Sequence, residues 1–99
     1  MKSLEVPREK IEAFAHRWRV SHLALFGSVL REDFNDASDI DVLVSFEPDS
    51  DVDLFDMVQM KNELERLFGR RVDLVEREAL SNPYRKREIL QTQQVIYAA

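Results

Sequence analysis

The sequence predicts an α/β fold, a small mixed β-sheet with helices packed on one face, and three observations predict it. Short segments rich in β-branched residues alternate along the chain with longer segments whose apolar residues step by three and four. At 99 residues and 44% hydrophobic, the chain has material for one core and not for two, so residues 1–99 read as one domain. No internal repeat, low-complexity tract or linker breaks this alternation.

The elements follow in order. Pro7 to Arg19 opens with proline at a favourable first helical position, and Ile11, Phe14, Ala15 and Trp18 share one face, which predicts an amphipathic helix. His22 to Phe26 is short and apolar and runs into Gly27-Ser28, the pattern of a buried strand ending in a tight turn. Val29 to Asp33 suits a brief helix and Phe34 to Ser38 a loop. Asp39 to Phe46 has the β-branched content of a second strand. The acidic stretch Glu47 to Asp53, with Pro48, leads into a helix starting near Asp51 or Asp53. Met57, Met60, Leu64, Leu67 and Phe68 form its apolar stripe, and Gly69 is its stop. Arg71 to Val75 reads as a third strand. Asn82 and Pro83 cap and begin a helix through about Leu90, and Gln94 to Tyr97 reads as a last short strand.

Composition excludes several classes of function. Without cysteine there is no disulfide framework, thiolate zinc site or cysteine nucleophile, which suits a reducing compartment. No apolar run approaches the roughly 18 residues of a membrane span, and the opening MKSLEVPREK lacks the apolar stretch of a signal peptide, so no membrane is expected and the reading is cytoplasmic. A formal charge of -5 argues against broad attachment to nucleic acid, and no direct nucleic-acid partner is expected. It leaves room for a nucleoside triphosphate, which arrives with magnesium.

Three carboxylates stand where strands disfavour them. Asp39 and Asp41 are two apart, so they project from one face while Ile40, Val42 and Val44 point to the other. Unpartnered carboxylates taken from water cost several kcal/mol, and two side by side repel each other. A divalent cation such as magnesium or manganese resolves both problems. Asp73 repeats the pattern, with Val72 and Leu74 facing away from it. If its strand neighbours the second, the three carboxylates converge and can hold two metal ions that activate an attacking hydroxyl and stabilise a leaving pyrophosphate. Asp73 is then the group nearest that hydroxyl and helps remove its proton. Gly27 lets a triphosphate approach the backbone, and Ser28 donates to phosphate oxygens. Arg31 suits the same phosphates, and suits equally an ion pair with Asp33 or Asp36.

Gly27-Ser28, ten intervening residues and Asp39-Ile40-Asp41 together resemble the GS-x10-DxD signature of the DNA polymerase β-like nucleotidyltransferase superfamily. The wider string GSVLREDFNDASDIDVLV resembles the minimal nucleotidyltransferases, or MNT proteins, that act as antitoxins beside HEPN-domain toxins. The resemblance covers the chain from about Leu23 to its end, and its specific motif is confined to Gly27 through Val44. It implies the polymerase β-like fold, places the family's third aspartate at Asp73, and implies magnesium, ATP and transfer of AMP to a tyrosine of a partner HEPN toxin. Glu32 departs from it, since many relatives carry glycine after the arginine, which bears on the loop and on Arg31.

Each of these signals has a plainer reading. Asp39 and Asp41 can be surface aspartates at a strand end, but their spacing from Gly27-Ser28 favours chemistry. Asp73 can be an ordinary solvent-facing aspartate of an edge strand. Asp49, Asp51 and Asp53 imitate a calcium loop, yet Leu54 stands where glycine is needed and Met60 where the closing glutamate belongs. Arg85, Lys86 and Arg87 could guide a nucleotide or an acidic partner, but a charge run on a helix is more often its solvated face, and that reading is taken; Phe14 and Trp18 read as core. His16 and His22 lack ligand spacing. Two other readings remain: an antitoxin that works by contact without turnover, and a nucleotidyltransferase whose acceptor is a small molecule such as an aminoglycoside.

Overall fold

The computed structural model describes residues 6–27 and 39–99. The expected helix at Val29 to Asp33 and loop at Phe34 to Ser38 lie outside them. Helix α1 runs Arg8–Trp18, with Pro7 just outside as its cap residue and not at the first helical position. It ends because Arg19 takes a left-handed conformation, φ 57°, which turns the chain at once into strand β1, Val20–Phe26. Arg19 is tied in that turn by Asp49 at 2.7 Å and Glu47 at 3.4 Å.

Strand β2 is Ile40–Phe46 and helix α2 is Leu54–Phe68. Asp53 caps α2 by accepting from the Asp56 amide at 2.8 Å, while the Asp56 carboxylate accepts from the Asp53 amide at 3.2 Å. This reciprocal pair satisfies two backbone donors that a helix start leaves open. Gly69, at φ 67°, closes the helix as its sequence position predicts. Strand β3, Val72–Glu76, leads through a single 3-10 turn to helix α3, Pro83–Thr92, whose cap Asn82 accepts from the amides of Tyr84 and Arg85. Strand β4, Gln94–Ala98, is the last element, and the Ala99 amide beyond it donates to the Ser21 carbonyl.

The four strands form one mixed sheet in the order β3-β2-β1-β4, with β1 antiparallel to β2 and β4 and β2 parallel to β3. The parallel pair follows from the crossover through α2, since parallel neighbours need a long connection and a helix supplies it. Ile11, Phe14 and Ala15 of α1 and Met60 and Leu64 of α2 bury against Leu23, Leu25, Ile40, Val42, Val44 and Val72. This is the expected helix-covered face. The cover is not confined to it. Ile89 of α3 packs on the other face against Ala24, Phe26 and Leu43, because these inward positions of β1 and β2 are apolar and need cover as well. No helix among the described residues is long and apolar enough to cross a membrane.

Candidate active site

β1 ends at Phe26, and Gly27 follows at φ 72°, a region that side-chain-bearing residues rarely adopt. Phe26 is the register partner of Asp41 across the antiparallel pair, so Gly27 comes to lie beside that aspartate. A Cβ at Gly27 would overlap Asp41 Oδ2. The glycine is therefore demanded twice, by its backbone angle and by the carboxylate beside it. Two positions 14 apart in sequence become one feature of the sheet.

Asp41 is partly buried on β2, on the same face as Leu43 and Ser45. In the parallel pair its register partner is Asp73. Strands lie about 4.8 Å apart and register partners project from the same face, so the two carboxylates are neighbours on the face that α3 partly covers. Asp73 itself is exposed on an edge strand. Its place is set from α2: the Glu65 carboxylate accepts from the Val72 amide at 3.0 Å and from Lys61 Nζ at 3.1 Å. The Val72 amide first, and Lys61 second, hold that carboxyl below the usual carboxylate range.

Asp39 stands one residue before β2, where the Ile40 amide donates to the Arg71 carbonyl. Its Oδ1 lies 3.5 Å from Arg71 Nε, in a pair with side chains 52% and 84% exposed. An exposed pair of that kind contributes about 0–1 kcal/mol and exchanges readily. Register thus brings Asp41 and Asp73 together, while the Asp39 side chain is drawn toward Arg71. Among the described residues, no three carboxylate, histidine or cysteine side chains sit close enough to hold a metal ion as they stand. The donor chemistry nevertheless suits magnesium, since carboxylate oxygens are its hard ligands, and the place a Gly27 side chain would take is the one that Asp41 Oδ2 fills. Ser28 and Arg31 lie outside the described residues.

Above Asp41 opens a cleft of about 710 Å³, a size that suits a small-molecule ligand. Phe26, Gly27 and Asp41 line it from the sheet; Arg85, Glu88, Ile89 and Thr92 line it from α3. The sequence sets a nucleotide-guiding role for Arg85, Lys86 and Arg87 behind that of a solvated charge run and does not separate Arg85 from the other two. The missed signal is the spacing of positions 85, 88, 89 and 92, one helical face that mixes charge with a single aliphatic residue.

A family model described as nucleotidyltransferase domain matches residues 7–96. A Methanocaldococcus jannaschii relative, named as a candidate protein adenylyltransferase, is 34% identical over 86 residues, 86% of this chain and 85% of its own. The protein adenylyltransferase MntA of Thermococcus cleftensis is 36% identical over 66 residues, 67% of this chain and 65% of its own. Among solved structures, one described as a candidate minimal nucleotidyltransferase is 33% identical, with a TM-score of 0.71 over 91% of this chain and 87% of that one. A toxin-antitoxin structure with AMP-PNP aligns at TM-score 0.74 and 19% identity, over 95% of this chain and 75% of that one. A tri-AMPylated Shewanella oneidensis HEPN toxin in complex with its MNT antitoxin aligns at 0.66 and 18%, over 93% and 70%. At those two identities the likeness speaks to the fold.

Proposed function

The chain belongs to the nucleotidyltransferase domain family, and from that premise we propose that it is a protein adenylyltransferase that moves AMP from ATP onto a tyrosine hydroxyl of a partner HEPN toxin. The observation that carries the reading is the direct register of Asp41 with Asp73, beside a Gly27 that admits no side chain. The names of the relatives in Methanocaldococcus and Thermococcus support protein as the acceptor. The structures of toxin-antitoxin complexes, one with AMP-PNP and one with an AMPylated toxin, support ATP and a HEPN partner.

In this mechanism Asp39 and Asp41 would hold two magnesium ions and Asp73 would complete one site, with the Asp39 side chain turned from Arg71 toward them. When bound, the ions offset the negative charge of the triphosphate and of the departing pyrophosphate. Gly27 and Ser28 position the phosphates with their backbone and hydroxyl donors, and Arg31 pairs with the same oxygens. Asp73, nearest the edge of the sheet, accepts the proton of the attacking tyrosine hydroxyl. One bond forms between that oxygen and the α-phosphorus, one breaks to the bridging oxygen, and pyrophosphate leaves with the electron pair. Exposure of Asp73 on an edge strand leaves this side open to an acceptor as large as a protein.

The test is the intact mass of the protein encoded beside this one after incubation with the chain, ATP and magnesium. Whole AMP units should appear with the unchanged chain and be absent with Asp39→Asn/Asp41→Asn. A tight complex with no gain in mass would assign the chain to inhibition by contact instead.

A further inference from the structure

We propose that Arg85 of α3 is the cation that holds the triphosphate of the bound nucleotide from the wall opposite the aspartates. The proposal rests on the nucleotidyltransferase reading of the site and adds to it a residue outside the GS-x10-DxD stretch. Three observations carry it.

The first is placement. Ile89 anchors α3 on the sheet against Ala24, Phe26 and Leu43, and Arg85, one turn earlier, faces the cleft whose floor is Gly27 and Asp41. Among the described residues that line that cleft, Arg85 is the one cation. The second is its state. Its backbone amide is engaged by the Asn82 cap, but among the described residues its guanidinium makes no ion pair, which leaves its planar donors to an incoming anion. Lys86 and Arg87 beside it do not line the cleft.

The third is local electrostatics. The first turn of α3 carries no acidic residue and instead gathers arginine and lysine at the positive end of the helix. A cation there opposes the helix dipole, an arrangement that disfavours the isolated helix. A phosphate against Arg85 reverses the sign of that interaction, since the same helix end and the guanidinium then act on one anion. A local choice that works against the fold and in favour of a ligand is what a binding position looks like. The wall also has a direction. Glu88, one turn further along, repels phosphate and accepts hydrogen bonds from ribose hydroxyls or base N–H groups. The phosphates therefore lie toward Arg85 and the nucleoside toward Glu88 and Thr92.

The experiment measures the affinity of the full chain for ATP and for adenosine, each with magnesium, in the unchanged protein, Arg85→Ala, Arg85→Lys and Arg87→Ala. Loss of a charge-assisted contact should weaken ATP about tenfold in Arg85→Ala, with partial recovery in Arg85→Lys. Adenosine should bind as before, and Arg87→Ala should stay within about twofold for both ligands. Equal weakening of ATP and adenosine, or equal effects at Arg85 and Arg87, would overturn the assignment by making Arg85 a contact to the base or a diffuse charge. Unchanged ATP affinity in Arg85→Ala would overturn it directly while leaving the proposed activity standing. If the unchanged chain binds no ATP, the proposed activity itself fails and the assignment fails with it.

Discussion

Gly27 and Gly69 share nearly the same backbone, at φ 72° and 67°, yet their surroundings differ. A side chain at Gly69 meets nothing within 4 Å, whereas at Gly27 it meets the Asp41 carboxylate. Gly69→Ala should therefore cost only the left-handed strain, about 1 kcal/mol, and leave AMP transfer intact. Gly27→Ala pays the same strain and must also displace Asp41. It should be the less stable of the two in denaturant unfolding and should lose transfer; equal behaviour of the pair would mean that the Gly27–Asp41 contact is incidental. Gly27, Asp39, Asp41 and Asp73 stand out in the sequence because aspartates at alternate positions violate the preferences of a strand and keep a fixed spacing from the glycine; the structure brings Gly27, Asp41 and Asp73 together and leaves Asp39 one residue before β2. Arg85 was not legible in this way. Cations on a helix are ordinary, and only the docking of Ile89 on the sheet reveals which of them faces the cleft.

At the level of elements, α2 and β3 are joined by a carboxylate. Glu65 accepts from the first amide of β3 and from Lys61, and its pKa is lowered mainly by the Val72 amide. A carboxyl whose folded pKa is depressed adds stability above its unfolded pKa and loses it as pH falls through the folded one. Across a pH series of denaturant midpoints, the gap between the unchanged chain and Glu65→Gln should be widest near neutrality and narrow below the ordinary carboxylate range. A gap that stays constant over that series would show that the carboxylate charge is not what joins the two elements. Element boundaries were mostly readable. The cap at Asp53, the stop at Gly69 and the start at Asn82-Pro83 each carry their own local chemistry, and all three are found. The first helix was harder, because Pro7 fits either just inside or just outside a helix start, and the structure puts it outside.

On the scale of the whole molecule, the candidate functional face results from two packing decisions. The crossover through α2 makes β3 a parallel neighbour of β2 and so aligns Asp73 with Asp41. The placement of α3 on the opposite face from α1 and α2 then walls the cleft above them. The first was conditional in the sequence, since periodicity predicts strands but not their neighbours. The second was missed, because Ala24, Phe26 and Leu43 read simply as buried strand residues and do not say that they face a different helix. We propose that Asp41 and Asp73, brought into register by this topology, perform nucleotidyl transfer. The decisive measurement is the single-turnover rate of AMP transfer to the proposed HEPN partner with Asp73→Asn, in a protein whose unfolding midpoint matches that of the unchanged chain. A fall of roughly 100-fold or more is expected with the fold intact. A rate within a few-fold of the unchanged chain would contradict it and leave Asp73 as an edge-strand aspartate without a part in the chemistry.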